Sequence, residues 1–452
     1  MRFKLQHGSE IFRLATPTVV TMLSMTLMWT VDTALLGRVS SLAQGAAGLG
    51  GIIGWTLYSL FNNLSRINAT FVSQANGRGD DRAIGDYTWQ STYLALAAGL
   101  LLTLVCWHSD LFLWWTGNGP AVEDATHRYL KLRGLSAVGN QLAFCLAGFF
   151  QGRKDVTTPM WAGIVANVVN VVLDVMLIFG VSSLGIAASG LDGAAIATSV
   201  ATWVQALFLL AATLLPAAHR ARYLIHVPRP PHAGQLRDLL RVGMPASVQG
   251  FLDMVFFAVF TSIVGRAGVA SLAASQIVVQ LLSFSFMPLY GLSQAVSVLV
   301  GNALGEKNPD KAGRYARETY LVALAYLAPC ALLLLGFGSY LFRLFSVDPE
   351  VLALAGGLAT AAAVFQIFDG LQIVGNGVMT GGGDTRFPMI YSMGVVWLVA
   401  VPLVTAMNAL GHGQVVELWA AASLCYALIA LGFYLRVRGG QFKRVDIFGT
   451  AR

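Results

Sequence analysis

Apolar stretches recur along the whole chain, each long enough to cross a bilayer as a helix, which takes about 20 residues. Twelve are predicted as spans: 11–36, 45–74, 88–112, 128–151, 159–180, 193–217, 239–264, 270–303, 318–342, 351–380, 387–409 and 415–435. Some are free of charge throughout. No Asp, Glu, Lys or Arg falls between Glu318 and Arg343, or between Arg386 and Glu417. The pattern predicts an all-α integral membrane protein of twelve transmembrane helices. The first run follows a short polar segment, Met1 to Glu10, and carries Asp32. It reads as a retained span rather than a cleaved leader.

Composition agrees. Of 452 residues, 56% are hydrophobic and 11% charged, against about 25% charged in soluble domains. Lipid is the solvent that such a surface fits. The net charge of +7 does not point to nucleic acid, because the basic residues sit in short loops and form no stripe or arm. The four cysteines, Cys106, Cys145, Cys330 and Cys425, lie singly in apolar segments without CxxC spacing, and read as small hydrophobes rather than disulfides or metal ligands.

The basic residues set the orientation. With both termini in the cytoplasm, 21 Lys and Arg fall on that side and four (Arg38, Arg128, Arg266, Arg343) on the other. That bias is a strong positive-inside signal and implies a multi-pass protein of the plasma membrane, in bacteria the inner membrane. The most basic loop contains Pro228-Arg229-Pro230-Pro231 and divides the spans six and six. The expected organisation is a six-helix bundle over 1–218, a cytoplasmic linker over 219–238, a second six-helix bundle over 239–436 and a cytoplasmic tail over 437–452.

The halves repeat. Shifted by 228 or 229 positions, Pro17 falls on Pro245, Arg13 on Arg241, and Gly37-Arg38 on Gly265-Arg266. Val72, Ala75 and Gly77 fall on Val300, Ala303 and Gly305, and Gly148, Gly152, Asp155 and Pro159 on Gly377, Gly381, Asp384 and Pro388. Matching Gly, Pro, Arg and Asp in one register indicates duplication into two pseudo-symmetric bundles, an arrangement that holds its cargo between the halves.

Four aspartates interrupt spans: Asp32, Asp174, Asp253 and Asp369. An ionised group at the bilayer centre costs about 2.5–3.5 kcal/mol on insertion scales, so these side chains should face an interior cavity, bind cations or hold protons. Asp32 and Asp174 lie at similar depth in the outer half. Asn167, Asn170 and Asp174 follow i, i+3, i+7 and share one helix face. Two amide oxygens and a carboxylate suit a small hard cation, while Asn170 and Asp174 alone could hold a shared proton. A buried polar cluster that merely ties helices together is the plainer reading. Asp253 and Asp369 should lie near mid-membrane, where two close carboxylates resist simultaneous ionisation; that suits proton coupling, and internal hydrogen bonding is the alternative.

Arg66, with Asn62 and Asn63, forms a polar patch that either pairs a carboxylate or snorkels to the cytoplasmic surface. Lys131 and Arg133 in span four are equally open. Asn68-Ala-Thr70 matches a glycosylation sequon inside a helix and is expected to be inert. Trp29, Trp55, Phe256, Phe257, Phe284, Phe286, Met287 and Tyr290 would suit a permissive apolar cavity, although lipid contact or helix packing explains each one singly. No GxxxxGK[ST] motif and no catalytic triad is present, so the chain reads as a non-enzyme without a cofactor.

Over nearly its whole length the sequence resembles the multidrug and toxic compound extrusion (MATE) exporters. Pro17 and Asp32, in P-x14-D, look like that family's bending proline and essential aspartate. Asn170-Val-Val-Leu-Asp174 is similar to its span-five N-x3-D motif, and Gly193-Ala-Ala-Ile-Ala-Thr198 to the opening of its span six. The resemblance implies a coupling-ion site of Asp32, Asn170, Asp174 and Thr198, with sodium or a proton as the transported ion. Sodium would lie at Asp32, Asn170 and Asp174. In the second half, Pro245 with Asp253, and Asp369-Gly-Leu-Gln372 through Gly383-Asp384-Thr385, resemble the NorM-type branch. Gln151 to Asp155 looks closer to the DinF-like branch, and Ala147 stands where some relatives carry an asparagine. The implied activity is antiport: amphipathic, cationic organic compounds leave in exchange for protons or sodium by alternating access. Membrane lipid and small molecules are the expected partners, nucleic acid is not, and the chain reads as a monomer. The alternative is a lipid-linked oligosaccharide flippase of the same superfamily.

Overall fold

The computed structural model describes residues 6–411 and 413–449. Among these the regular elements are helices, apart from an isolated bridge between Val181 and Ile186. The first half holds α1 (Gly8–Leu36), α2 (Ser41–Arg66), α3 (Asn68–Arg78), α4 (Asp81–Trp107), α5 (Asp110–Leu113), α6 (Pro120–Gly134), α7 (Ala137–Gly152), α8 (Thr157–Phe179), α9 (Gly190–Leu214) and α10 (Ala217–Tyr223). The second holds α11 (Ala233–Arg266), α12 (Val269–Gly305), α13 (Pro309–Arg343), α14 (Pro349–Gly382), α15 (Arg386–Val395), α16 (Val401–Ala409) and α17 (Val415–Arg438). A π turn, Val396–Ala400, joins α15 to α16.

Ten helices among the described residues are long and apolar enough to cross a membrane, α15 to α16 counting as one. The other two predicted spans are each built from two helices. Span 45–74 is α2 and α3, divided at Ile67, and span 128–151 is α6 and α7, divided at Leu135 and Ser136. Both divisions fall in polar sequence, where side chains can take over the backbone groups that a break releases. Their counterparts in the second half, α12 and α14, run without interruption.

Packing divides the chain into two compact units. One comprises Val20–Ser247 with Ile447–Arg452, the other Met1–Val19 with Val248–Asp446. The divisions at 19/20 and 247/248 each lie two residues beyond a proline inside a helix, Pro17 in α1 and Pro245 in α11. Each proline lacks the N–H that its helix would use there. In the second unit α14 is the hub, packed against α12, α13 and α17; in the first, α7 packs on α3, α4 and α9, and α8 on α9.

The repeat extends to packing detail. A Cβ at Gly152 would stand 2.9 Å from Ala69 O, and at Gly148 2.9 Å from Ala69 N. At Gly381 it would run into Ser297 O, and at Gly377 into Ser293 O. Ala69 and Ser297 are themselves repeat partners. Each Gly-x-x-x-Gly therefore brings two backbones together at equivalent places, the small-residue device that membrane helices use when apolar area alone gives no drive to associate. Helix ends repeat as well. Gly79 (φ 70°) and Lys307 (φ 56°) occupy one left-handed cap, and Lys154 (φ 66°) and Gly383 (φ 81°) another. In each pair one half keeps the glycine that left-handed geometry favours.

The basic loop that follows α9 is strapped onto α4. Trp89 Nε1 donates to Ile225 O (2.9 Å), Tyr93 Oη to Arg229 O (2.6 Å) and Gln90 Nε2 to Pro230 O (3.0 Å). Arg229 and Arg222 pair with Asp86 and Asp81, each at 2.9 Å. The ring of Phe448 packs against Phe71 and Tyr87, with Arg78 above it at 4.1 Å.

Candidate functional site

Asp32 lies one turn from the end of α1, Asn170 and Asp174 on one face of α8, and Thr198 in the third turn of α9. The structure brings all four together inside the first unit. Asp174 and Asn170 are fully buried and Asp32 is 8% exposed. Thr198 Oγ1 donates to Asp32 Oδ2 at 3.0 Å and lies 3.4 Å from Asn170 Nδ2. The carboxyl groups of Asp32 and Asp174 act on each other electrostatically.

Local sequence explains the meeting. Gly193 lets α9 cross the C-terminal end of α8, since a Cβ there would stand 2.6 Å from Leu177 O. Ser189 N closes the connection by donating to Leu177 O at 2.8 Å. That crossing sets Thr198 against the Asn170 turn of α8.

The chemistry lies in the acceptors. Asp32 Oδ1, Asn170 Oδ1 and both carboxylate oxygens of Asp174 are buried without a donor in reach, as is Asn167 Oδ1 one turn before Asn170. A buried acceptor with no donor costs about 1–3 kcal/mol, more when charged, so a cluster of them calls for a cation or a proton. Two carboxylates with amide and hydroxyl oxygens are hard donors of the kind sodium takes, and the same pair can share one proton. The donor set fits either.

In the second unit Asp369 of α14 acts electrostatically on Asp253 of α11. Asp369 Oδ1 accepts from Gln372 Nε2 at 3.2 Å, and Tyr426 of α17 feels both acids. Aromatic rings wall this region. Phe365 lies 4.6 Å from Tyr426, and Phe256 6.3 Å from the same ring. Phe256 is buried in that packing rather than lining an open wall. Trp29, Trp55 and Phe284 are all more than half exposed.

Several polar residues of the spans have places that sequence left open. The Arg66 guanidinium stands 4.7 Å over the ring of Phe144. Gln141 Nε2 donates to Asn62 Oδ1 (2.9 Å) and Gln141 Oε1 accepts from Ser65 (2.7 Å), while Asn63 Nδ2 donates to Ala246 O (3.2 Å). Asn68, the sequon asparagine, is fully buried and donates to Cys145 O at 3.0 Å, which puts it out of reach of any modifying enzyme in the folded chain. Pro17 lies inside α1 about four turns before Asp32. Tyr129 and Arg133 act electrostatically on the Asp32 and Asp174 pair, and of the two only Arg133 stood out in the sequence. Its signal was a charge five positions after the start of the span over 128–151.

Comparison with known proteins bears on both halves at once. The family model MatE matches residues 17–176 and again residues 245–405, two matches offset by the register of the repeat. The probable multidrug resistance protein NorM of Thermotoga maritima is 27% identical, over 88% of this chain and 85% of that one. The multidrug resistance protein PmpM of Pseudomonas aeruginosa is 29% identical, over 87% and 82%. The crystal structure of MATE in complex with MaL6 superposes with a TM-score of 0.85 at 20% identity and covers 96% of each chain, which shows the twelve-helix fold. With the family matched across both repeats, the chain belongs to the MatE family, the multidrug and toxic compound extrusion transporters, as a multi-pass membrane protein.

Proposed function

We propose that the protein is a secondary antiporter that exports amphipathic organic cations in exchange for protons or sodium, with Asp32, Asn170, Asp174 and Thr198 as the coupling site of the first unit. The observation that carries this reading is the group of buried acceptor oxygens on Asp32, Asn170 and Asp174 that have no donor in reach. In the exchange cycle the ion must bind the two access states with different affinity, since only differential binding moves the equilibrium between them. Asp253 and Asp369 serve as a second titratable pair. Pro17 and Pro245 relieve the helices at the points where they pass from one packing unit to the other.

Thr198 supplies a means of coupling. Its single hydroxyl hydrogen has two acceptors, Asp32 Oδ2 at 3.0 Å and Ala194 O at 2.9 Å. An ionised Asp32 is the stronger acceptor. Once a cation neutralises that carboxylate, the hydrogen turns back to the helix carbonyl. The names of the relatives support a drug-like cargo, and the acidic character of the intramembrane residues supports a cationic one. The protein works as a monomer in the bacterial inner membrane with both termini in the cytoplasm.

Dye efflux from proteoliposomes under separately imposed proton and sodium gradients tests the proposal. Efflux should follow at least one gradient and be abolished in Asp32→Asn at normal expression. Full efflux in that variant would remove the coupling role. Gradient-independent lipid scrambling would favour a flippase instead.

A further inference from the structure

The repeat reproduces one more arrangement, at the starts of α1 and α11. Tyr315 Oη of α13 donates to Glu10 Oε2 of α1 at 2.5 Å. Tyr87 Oη of α4 donates to Asp238 Oδ2 of α11 at 3.1 Å. In the 228-residue register Tyr87 falls on Tyr315 and Glu10 on Asp238, so the two bonds are counterparts. Three residues after each tyrosine, on the same helix face, stands a second pair of repeat partners, Gln90 and Glu318. Glu318 accepts from the backbone N–H groups of Gln6 and His7 at 3.2 and 2.9 Å. Gln90 Oε1 accepts from His232 N at 2.9 Å. These N–H groups immediately precede α1 and α11, where a helix supplies no acceptor of its own. Between the halves the acid has changed from Glu to Asp and its neighbour between Glu and Gln. What the halves share is the bond, not the side chain.

The bonds matter because of where the two helices go next. The start of α1 packs with Val248–Asp446, and α1 from Val20 onward packs with the other unit. Helix α11 does the reverse, starting within Val20–Ser247 and continuing from Val248 in the other unit. Each tyrosine therefore lies in the unit that holds the start of its partner helix. The apolar sides of the starts are seated as well, since Ile11, Leu14 and their repeat partners Leu239 and Val242 are all buried. The far end of α1 is held in its own unit, where Asp32 accepts from Thr198 at 3.0 Å.

We propose that Tyr315 with Glu10, and Tyr87 with Asp238, are positioning clamps of the transport cycle. Each fixes the first turns of a proline-bearing helix to one unit, so that a change of access bends the helix near Pro17 or Pro245 instead of unseating its start. A lever transmits motion only if both its ends are held. A hydrogen bond to a carboxylate is stronger than a neutral one, which suits an end that must not slip. A proline removes one N–H from the helix ladder, which suits the point that yields. This inference rests on the alternating-access reading.

Two variants that each remove one oxygen test it in the full chain. In Tyr315→Phe, amide hydrogen exchange rises over 8–19 and is unchanged over 20–36. In Tyr87→Phe it rises over 233–247 and is unchanged over 248–266. The rings stay, so Tyr87→Phe keeps the packing on Phe71 and Phe448. In the double variant the maximal rate of ethidium efflux from proteoliposomes falls about tenfold, the scale of one hydrogen bond to a charged group. Equilibrium binding of ethidium to the purified protein keeps its wild-type affinity. In a Glu10→Leu background Tyr315→Phe has no further effect, and a further loss there overturns the pairing. Exchange that is unchanged, or raised evenly along the chain, overturns the proposal. So does an efflux rate that stays at the wild-type value, which is what a merely structural bond would leave. If one variant fails to fold, the clamp of the other unit decides by the same measurements. Hydrogen exchange needs no gradient, and the antiport reading falls separately, on gradient-driven efflux retained by Asp32→Asn.

Discussion

Thr198 Oγ1 lies 3.0 Å from Asp32 Oδ2, although 166 residues separate the two in sequence. The contact exists because α9 crosses α8 closely at Gly193, and it places a neutral donor on a carboxylate that lipid would otherwise exclude.

Thr198→Ala should change cation affinity by about tenfold or more, since a hydrogen bond to a charged group is worth about 1.5–3 kcal/mol. The direction identifies the ion. A proton would be held more tightly, because the ionised state loses its donor; sodium would be held more weakly, because its shell loses an oxygen. Thr198→Ser should behave as wild type. Half-saturating proton and sodium concentrations for dye efflux provide the measurement, and no change in either would take Thr198 out of the site.

Asp369→Asn should alter the pH dependence of efflux, because it removes the titratable charge that acts on Asp253 while leaving an amide oxygen to accept from Gln372. Transport profiles of variant and wild type that superimpose would reduce this pair to an internal hydrogen-bonding role.

Gly381→Ala should lower stability by about 1–3 kcal/mol, the usual range for overpacking, because the added methyl runs into Ser297 O. The same change at Gly336, where a Cβ meets nothing within 4 Å, serves as control. Thermal unfolding in detergent reads both, and equal midpoints would refute the tight crossing of α12 and α14.

Lys307→Gly should raise stability by about 1 kcal/mol, within the range that left-handed backbone costs a residue with a Cβ. Lys307 holds φ 56° where its repeat partner is Gly79. The melting temperature should rise with efflux unchanged; a fall would show that the lysine side chain contributes more than its backbone costs.

His219, in α10, lies among Phe149, Phe150 and Tyr223 beside Arg153. Burial first, and then the Arg153 charge, hold its pKa below the ordinary 6.5, with Asp155 opposing. The unfolded chain therefore binds a proton more readily than the folded one. Stability is full above the ordinary value and is lost as pH falls from there towards the folded value. His219→Gln should flatten that acid-side loss in melting curves taken across the window, and an identical slope in the variant would argue against the buried neutral ring.

Much of the architecture was legible before any coordinates. Span length and the 228-residue register depend on local composition and on self-similarity, which sequence carries directly. Asp32, Asn170, Asp174 and Thr198 were legible as a group through their resemblance to MATE motifs; only the spacing of Asn167, Asn170 and Asp174 on one face was a matter of periodicity. The broken spans were not legible. Hydropathy reads α2 with α3, and α6 with α7, as single runs, because the donors that permit a break at Leu135 come from Tyr58, Thr103, Ser199 and Trp203.

Sequence by itself determined that this chain lives in lipid, how many times it crosses, and that it is two copies of one plan, since those properties follow from which residues a bilayer accepts. Tertiary structure alone decided that Asp32 meets Thr198 beside Asn170, and that α1 and α11 change packing unit just past their prolines. Those outcomes depend on close approach between helices far apart in the chain. A glycine, a hydroxyl or a guanidinium has meaning there only through what stands opposite it.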